Sequence, residues 1–266
     1  MTVLVYDGSL GGLLTAIFDI YEYKLSDASV RKAEETSYSL FGQTRTIHTD
    51  EEKAQRVWKK LEDKLSRPAL GQFYKTYLSE LPGIEDPLIR YVRYVLSAKG
   101  SVENDYSHPD VLTVQQTSRK VHREKHRMEA FVRFQLTKDR LYYSIIQPDF
   151  NVLPLIRKHF TDRYADQKWL IYDSRRKYGL FYNLEVVEEV EMEFAINTAD
   201  PSQVAHLLDE KEELWQKLWQ QYFTSVNIPA RKNMKLHIKH MPKRYWKFLP
   251  EKQPVKDNRI DPPAAA

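Results

Sequence analysis

The chain of 266 residues contains no cysteine. This absence excludes disulfides, thiol nucleophiles, cysteine-ligated zinc and iron–sulfur clusters held by cysteine thiolates. The chain also lacks an apolar run long enough to span a bilayer, and its first residues, MTVLVYDGSL, lack the charged leader of a signal peptide. We therefore expect a cytoplasmic protein that has no membrane partner.

A strong charge of one sign is also missing. The chain has 41 basic and 37 acidic residues, and its formal net charge is only +4. Overall charge therefore does not point to nucleic acid, and only local clusters of cations can do so. With 42% hydrophobic and 12% aromatic residues, the composition supports a sizeable core and excludes a disordered chain.

The spacing of hydrophobic residues predicts the α+β fold class. Residues 1–100 show mainly helical patterns, and residues 109–195 predict an α/β core in which two β-hairpins form a small antiparallel sheet with packed helices. Helices are predicted again over residues 200–250. We expect a single domain over residues 1–250, followed by a flexible, proline-rich tail over residues 251–266.

Local signals place several elements of this fold. Thr2–Tyr6 predicts a strand and Leu10 the start of a helix, while Asp50 is a suitable N-cap for a second helix. Between the first two elements, the glycines of segment 8–12 match neither the G-x-G-x-x-G pattern nor the P-loop. We interpret this segment as a tight turn that Asp7 or Ser9 caps, and we expect no cofactor there.

The strongest functional signal is the stretch Thr117–Phe134, TSRKVHREKHRMEAFVRF, which predicts a basic helix that runs into an aromatic strand. At 3.6 residues per turn, Val114, Val121 and Met128 fall on one side. Basic residues gather on the other side: Arg119, His122, Arg123, His126 and Arg127. This pattern is typical of a surface that binds phosphate or nucleic acid, although a solvated helix face would show it too.

Acid–base groups that would support an enzyme are Glu124, His126 and Asp173, with His126 paired to Glu124 or to an aspartate and so tuned for proton transfer. Arg133 and Arg176 would extend the phosphate contacts of the helix to the two hairpins. We expect Asp173 to pair with Arg133 or with an arginine of the helix, Arg127, so that Arg176 is left for an anion. Turn chemistry alone would also explain Asp173.

His122 and His126 lie one helical turn apart, a spacing that can ligate a metal. The intervening residues do not give the H-E-x-x-H pattern, and the flanking arginines would repel a divalent cation. No third ligand is evident, and we therefore expect no metal site.

Several motifs together resemble those of a known family. They are Tyr6-Asp7-Gly8-Ser9, Glu124-x-His126-Arg127-Met128-x-x-Phe131-Val132-Arg133-Phe134, and Trp169-x-Ile171-x-Asp173-x-x-Arg176. The chain resembles the bacterial family of DNA-metabolism and repair proteins that are encoded beside, or fused to, a uracil-DNA-glycosylase-like domain. Members of that family also accompany a radical-SAM protein of DNA modification or repair.

The resemblance supports an accessory DNA-binding protein that acts with one of these partner enzymes. One alternative is a protein–protein scaffold for the radical-SAM partner. The other is an enzyme that processes nucleic acid or nucleotides. Such an enzyme would use Glu124, His126 and Asp173 as acid–base groups and arginines to stabilise phosphate charge.

Overall fold

The computed structural model describes residues 2–33, 43–191, 209, 212, 216, 218–220 and 233–253. Contacts within the chain define two compact units. Unit 1 comprises Met1–Glu124 and Asp149–Asn151, and unit 2 comprises Lys125–Pro148 and Val152–Ala266. The predicted α+β class is confirmed. The single domain over residues 1–250 stays a prediction.

Unit 1 combines a three-stranded parallel sheet with helices. The strands are β1 (Thr2–Tyr6), β2 (Ala28–Lys32) and β3 (Gln43–Thr46), in the order β2-β1-β3. The helices are α1 (Leu10–Glu22), α2 (Glu51–Lys64), α3 (Arg67–Tyr77), α4 (Glu85–Ser97) and the first part of α5 (Pro109–Phe131). The prediction of a mainly helical first hundred residues missed β2 and β3, because these short, polar strands carry no clear alternation.

Two side-chain caps in unit 1 agree with the sequence. The Ser9 hydroxyl accepts a hydrogen bond from the Gly12 amide at 2.9 Å, and the Asp50 carboxylate accepts one from the Lys53 amide at 3.0 Å. Each bond satisfies one of the amides that the first turn of a helix leaves without a partner. The tight turn between β1 and α1 is therefore confirmed, with Ser9 as the cap.

Unit 2 is built on a five-stranded mixed sheet. The strands are β4 (Gln135–Leu136), β5 (Tyr142–Ile146), β6 (Trp169–Asp173), β7 (Tyr178–Tyr182) and β8 (Val187–Glu191), in the order β4-β5-β6-β7-β8. All neighbours are antiparallel except β5 and β6, which are parallel. The expected antiparallel sheet is wrong at this pair, because helix α6 (Leu153–Arg163) crosses over between the two strands.

Aromatic side chains form the centre of unit 2. Strand β6 is buried along its whole length, and the fully buried Trp169 ring lies 6.2 Å from Phe160 and 5.5 Å from Tyr182, measured between ring centroids. Aromatic pairs at such distances add to the free energy gained from their buried area. Trp169 of β6 and Tyr182 of β7 thus pack the hairpin into the core of unit 2.

The C-terminal part is described only in pieces. Helix α7 spans Met234–His240, and 3₁₀ turns follow at Lys243–Phe248 and Pro250–Lys252. Helices are predicted over residues 200–250, and most of residues 200–232 lie outside the described residues, as do residues 254–266 of the predicted tail.

Gly12 is a position where an added methyl group should destabilise the fold. A Cβ there would clash with Asp7 Oδ1 and lie 3.0 Å from Thr49 Oγ1. Asp7 Oδ1 accepts hydrogen bonds from the Ser9 amide and hydroxyl at 2.9 and 2.7 Å, so moving it would break both. We expect Gly12→Ala to lower the free energy of unfolding by about 1–3 kcal/mol in chemical denaturation.

Gly71 provides the matched control, because it also lies inside a helix and a Cβ there would meet nothing within 4 Å. Gly71→Ala should raise the free energy of unfolding by up to about 1 kcal/mol, since alanine restricts the unfolded chain and favours helix. Equal effects of the two substitutions would contradict the steric explanation.

Candidate nucleic-acid interface

Helix α5 separates buried and exposed residues as predicted. Val114, Val121 and Met128 are buried. Four basic residues of the predicted face are exposed, and Arg127 is half-buried; the exposed ones are Arg119, His122, Arg123 and His126. The division into units assigns Arg119 and Arg123 to unit 1, whereas Arg127, Arg133 and Arg176 belong to unit 2. One continuous binding surface therefore stays a prediction.

Three cations of α5 stand out within unit 1. Arg119, Lys120 and Arg123 are exposed, and none of them forms an ion pair or hydrogen bond with a residue that the structure describes. The positive charge of these side chains is therefore not neutralised inside the described part of the protein. Exposed guanidinium groups of this kind retain donors for phosphate oxygens.

Glu124, a predicted acid–base residue, has a structural contact. Its side chain is buried, and Glu124 Oε1 accepts a hydrogen bond from the Asp149 amide at 3.0 Å. A buried carboxylate that accepts a backbone amide stabilises the chain around it. This contact gives Glu124 a role in holding the loop at Asp149 within unit 1.

His126 is near a different carboxylate from the one expected. In unit 2, Glu129 lies 3.8 Å from His126 Nδ1 and 3.7 Å from His159 Nδ1, and Lys125 Nζ is 2.5 Å from Glu129 Oε1. Glu129 was not predicted as a partner of His126. The signal was available, because residues three apart on a helix are neighbours.

Asp173 forms the other buried carboxylate contact. Its side chain is 0% exposed; Oδ2 lies 2.8 Å from Arg176 Nη1, and Oδ1 accepts from the amides of Arg175 and Arg176 at 2.9 and 3.3 Å. Burial raises the pKa of the Asp173 carboxyl, and the opposing hydrogen bonds and charge of Arg176 do not fully offset it. Asp173 therefore closes the turn after β6, as turn chemistry indicated.

Arg133 and Arg176 are both engaged inside unit 2. Arg176 Nη1 pairs with Asp173 and also donates to the Pro148 carbonyl at 3.3 Å. Arg133 Nη2 lies 2.9 Å from Glu251 Oε1, whose side chain is fully buried. The expected pairing of Asp173 with Arg133 or Arg127 is wrong. Arg176 lies three residues after Asp173 in the same short turn, and its guanidinium forms the ion pair with this carboxylate.

The described residues contain neither a metal-binding cluster nor a membrane-spanning helix. No group of three or more histidine, aspartate or glutamate side chains there is arranged to hold a metal ion. Nor does any described helix have both the length and the apolar character that crossing a bilayer requires. The absence of a metal stays a prediction for the whole chain.

Comparison with known proteins identifies the family. The family model described as a domain of unknown function, DUF4130, matches residues 82–251, which is more than half of the chain. The chain belongs to the DUF4130 family. The matched region contains all the candidate residues on α5 and both hairpins, but the family description assigns no activity to them.

Other comparisons add little about function. Among solved structures, the pGpG-specific phosphodiesterase PggH from Vibrio cholerae matches with a TM-score of 0.34 and 10% sequence identity, over 68% of this chain and 81% of that chain. A TM-score this low carries no argument about fold or activity. No curated protein matches the sequence significantly.

The Asp173–Arg176 contact gives a stability prediction. Asp173→Ala would remove the carboxylate that pairs with the nearly buried Arg176 guanidinium and accepts hydrogen bonds from two backbone amides. Removing one partner of a buried pair is strongly destabilising. We expect the free energy of unfolding to fall by about 3–5 kcal/mol in chemical denaturation.

Asp162→Ala is the control for this prediction. Asp162 pairs with Lys158 at 2.8 Å on the surface of α6, where both side chains are exposed. Loss of such a pair should change the free energy of unfolding by about 0.5 kcal/mol or less. A comparably small effect of Asp173→Ala would show that its contacts do not stabilise unit 2.

Proposed function

We propose that the chain is an accessory DNA-binding protein of DNA repair or modification. The observation that carries this proposal is the group of exposed cations on α5 in unit 1: Arg119, Lys120 and Arg123 form no ion pair with a described residue. Cations without an internal partner attract the phosphate backbone and release its counterions on binding. The chain would hold DNA in this way while another protein carries out the chemistry.

The position of these cations on α5 favours a role in binding phosphate over a role as a surface that contacts only solvent. Val114 and Val121 are buried on the opposite side of the same helix, so the backbone beneath the cations is held in place. A fixed backbone restricts where the guanidinium groups of Arg119 and Arg123 can lie. Binding of a phosphate strand therefore requires ordering of the arginine side chains but not of the helix backbone.

The partner enzyme is part of the proposal and comes from the sequence resemblance. A uracil-DNA-glycosylase-like protein or a radical-SAM protein of DNA modification would supply the reaction. The chain has no cysteine, so a cluster bound by cysteine thiolates would have to belong to that partner. Co-purification of either protein with the tagged full chain tests this part, and recovery of neither would contradict it.

The alternative proposal is a nucleic-acid or nucleotide-processing enzyme. Two of its candidate groups, Glu124 and Asp173, are buried and bonded to nearby backbone amides, which argues against an acid–base role. One observation favours it, namely Glu129 between His126 and His159 in unit 2. Hydrolysis of a nucleotide or DNA strand by the wild type that is lost in Glu129→Gln would support the enzyme.

Substitution of two arginines tests the DNA-binding proposal. We expect Arg119→Ala/Arg123→Ala to weaken binding of duplex DNA measured by fluorescence anisotropy. The slope of log K against log salt should fall by about two units, because each lost phosphate contact removes roughly one. Both side chains are exposed, so the thermal unfolding of the variant should match that of the wild type.

Lys59→Ala/Lys60→Ala is the matched control, because it removes the same charge from an exposed surface of α2 in the same unit. This variant should keep the wild-type salt slope. Equal loss of affinity in both variants would mean that total charge, and not the surface of α5, determines binding.

A further inference from the structure

Unit 1 contains an open groove that the sequence motifs do not indicate. Its volume is about 640 Å³, which lies within the roughly 300–1,000 Å³ of small-ligand sites. The walls come from the end of α1 with the turn after it, from α4 and from the start of α5. Cations and tyrosines line the groove together with apolar side chains; those used below are Tyr21, Lys24, Arg90, Arg93, Tyr94 and Asp110.

The groove has an excess of positive charge. Arg90 donates from Nε and Nη2 to the buried Asp110 carboxylate at 2.8–3.1 Å, yet its side chain is 54% exposed. Arg93 donates to the carbonyls of Leu25 and Ser26 at 2.9 and 3.2 Å, which leaves its charge unneutralised. Lys24 is exposed and forms no ion pair with a described residue.

Among the residues that line the groove, three cations and one carboxylate carry charge, a balance that favours an anionic ligand. The two arginine side chains are also fixed in place, because each already makes hydrogen bonds within unit 1. Such preorganised donors lose little conformational freedom when they bind a phosphate.

The aromatic side chains add a second type of contact. Tyr94 stacks on His108 with ring centroids 4.0 Å apart and an interplanar angle of 11°, and its hydroxyl donates to Asp105 at 2.6 Å. Tyr21 is 45% exposed, so part of its ring remains open to solvent. Burial of the remainder raises the pKa of Tyr21 against the opposing charge of Arg93, and the phenol therefore stays neutral at physiological pH.

We propose that this groove binds a nucleotide unit, with the base stacked on Tyr21 and the phosphate held by Lys24, Arg90 and Arg93. Inorganic phosphate would use only the cations, and an uncharged aromatic molecule would use only Tyr21. A nucleotide satisfies both sets, because its flat base stacks on an aromatic ring while its phosphate meets basic side chains. The proposal does not depend on DNA binding by α5.

The nucleotide unit could be a free mononucleotide or one residue of a single strand. Isothermal titration of the full chain with deoxythymidine monophosphate, with thymidine and with inorganic phosphate tests the chemistry of the site. We expect the monophosphate to bind more tightly than either fragment. A titration of the Arg119→Ala/Arg123→Ala variant with oligo(dT) then distinguishes the sources, because the proposed DNA-binding surface of α5 is removed. A strand that binds this variant more tightly per site than the monophosphate identifies single-stranded DNA, and equal affinity identifies the free nucleotide.

Two variants test the assigned contacts. Tyr21→Leu should weaken binding of the monophosphate at least about fivefold, because it removes the stacking surface. Lys24→Asn should weaken it by about threefold through the lost charge. Asparagine is chosen because Lys24 has a φ of 52°, in the left-handed region that asparagine tolerates.

Tyr106→Leu and Lys59→Asn are the matched controls, since both residues are exposed in unit 1 and lie outside the groove. Both controls should bind the monophosphate as the wild type does. Arg119→Ala/Arg123→Ala should also leave this affinity unchanged, so failure of the groove and failure of the DNA-binding surface are separable. Absence of binding at millimolar monophosphate, equal affinity for inorganic phosphate, or unchanged affinity in both groove variants would overturn the proposal.

Discussion

Burial of one side of α5 is the constraint on which the candidate DNA-binding surface depends. Within unit 1, Val114 and Val121 are buried, and the Thr76 hydroxyl donates to the Val114 carbonyl at 3.0 Å. Successive helical residues are rotated by about 100°, so fixing the two valines also fixes the directions of Arg119 and Arg123. The apolar stripe therefore determines where the unneutralised charges lie, although it carries no charge itself.

Periodic patterns and local caps in the sequence predicted the helices well. The cap at Asp50 and the strand Thr2–Tyr6 were recognisable because their signals lie within a few residues of one another. Strands β2 and β3 were not recognisable, since each is defined by pairing with β1 from a distant part of the chain. The parallel pairing of β5 with β6 was missed for the same reason.

The candidate site was less predictable than the fold. Residue type and helical spacing placed Arg119 and Arg123 on the exposed side of α5. They did not reveal which carboxylates form hydrogen bonds or ion pairs within the protein. In the sequence, Glu124 and Asp173 resembled acid–base groups. In the structure, both carboxylates accept hydrogen bonds from backbone amides. The contact between Arg133 and Glu251 joins positions 118 residues apart, a separation that no local pattern encodes.

That long-range contact also has a consequence for joining this domain to another. Glu251 is the final residue of the family match, and its buried carboxylate meets both Arg133 and the Trp219 indole Nε1, which donates at 3.0 Å. A chimaera spliced one residue earlier would lack the carboxylate that pairs with Arg133 and would destabilise this part of unit 2. A fusion junction should therefore leave Glu251 in place to keep this ion pair.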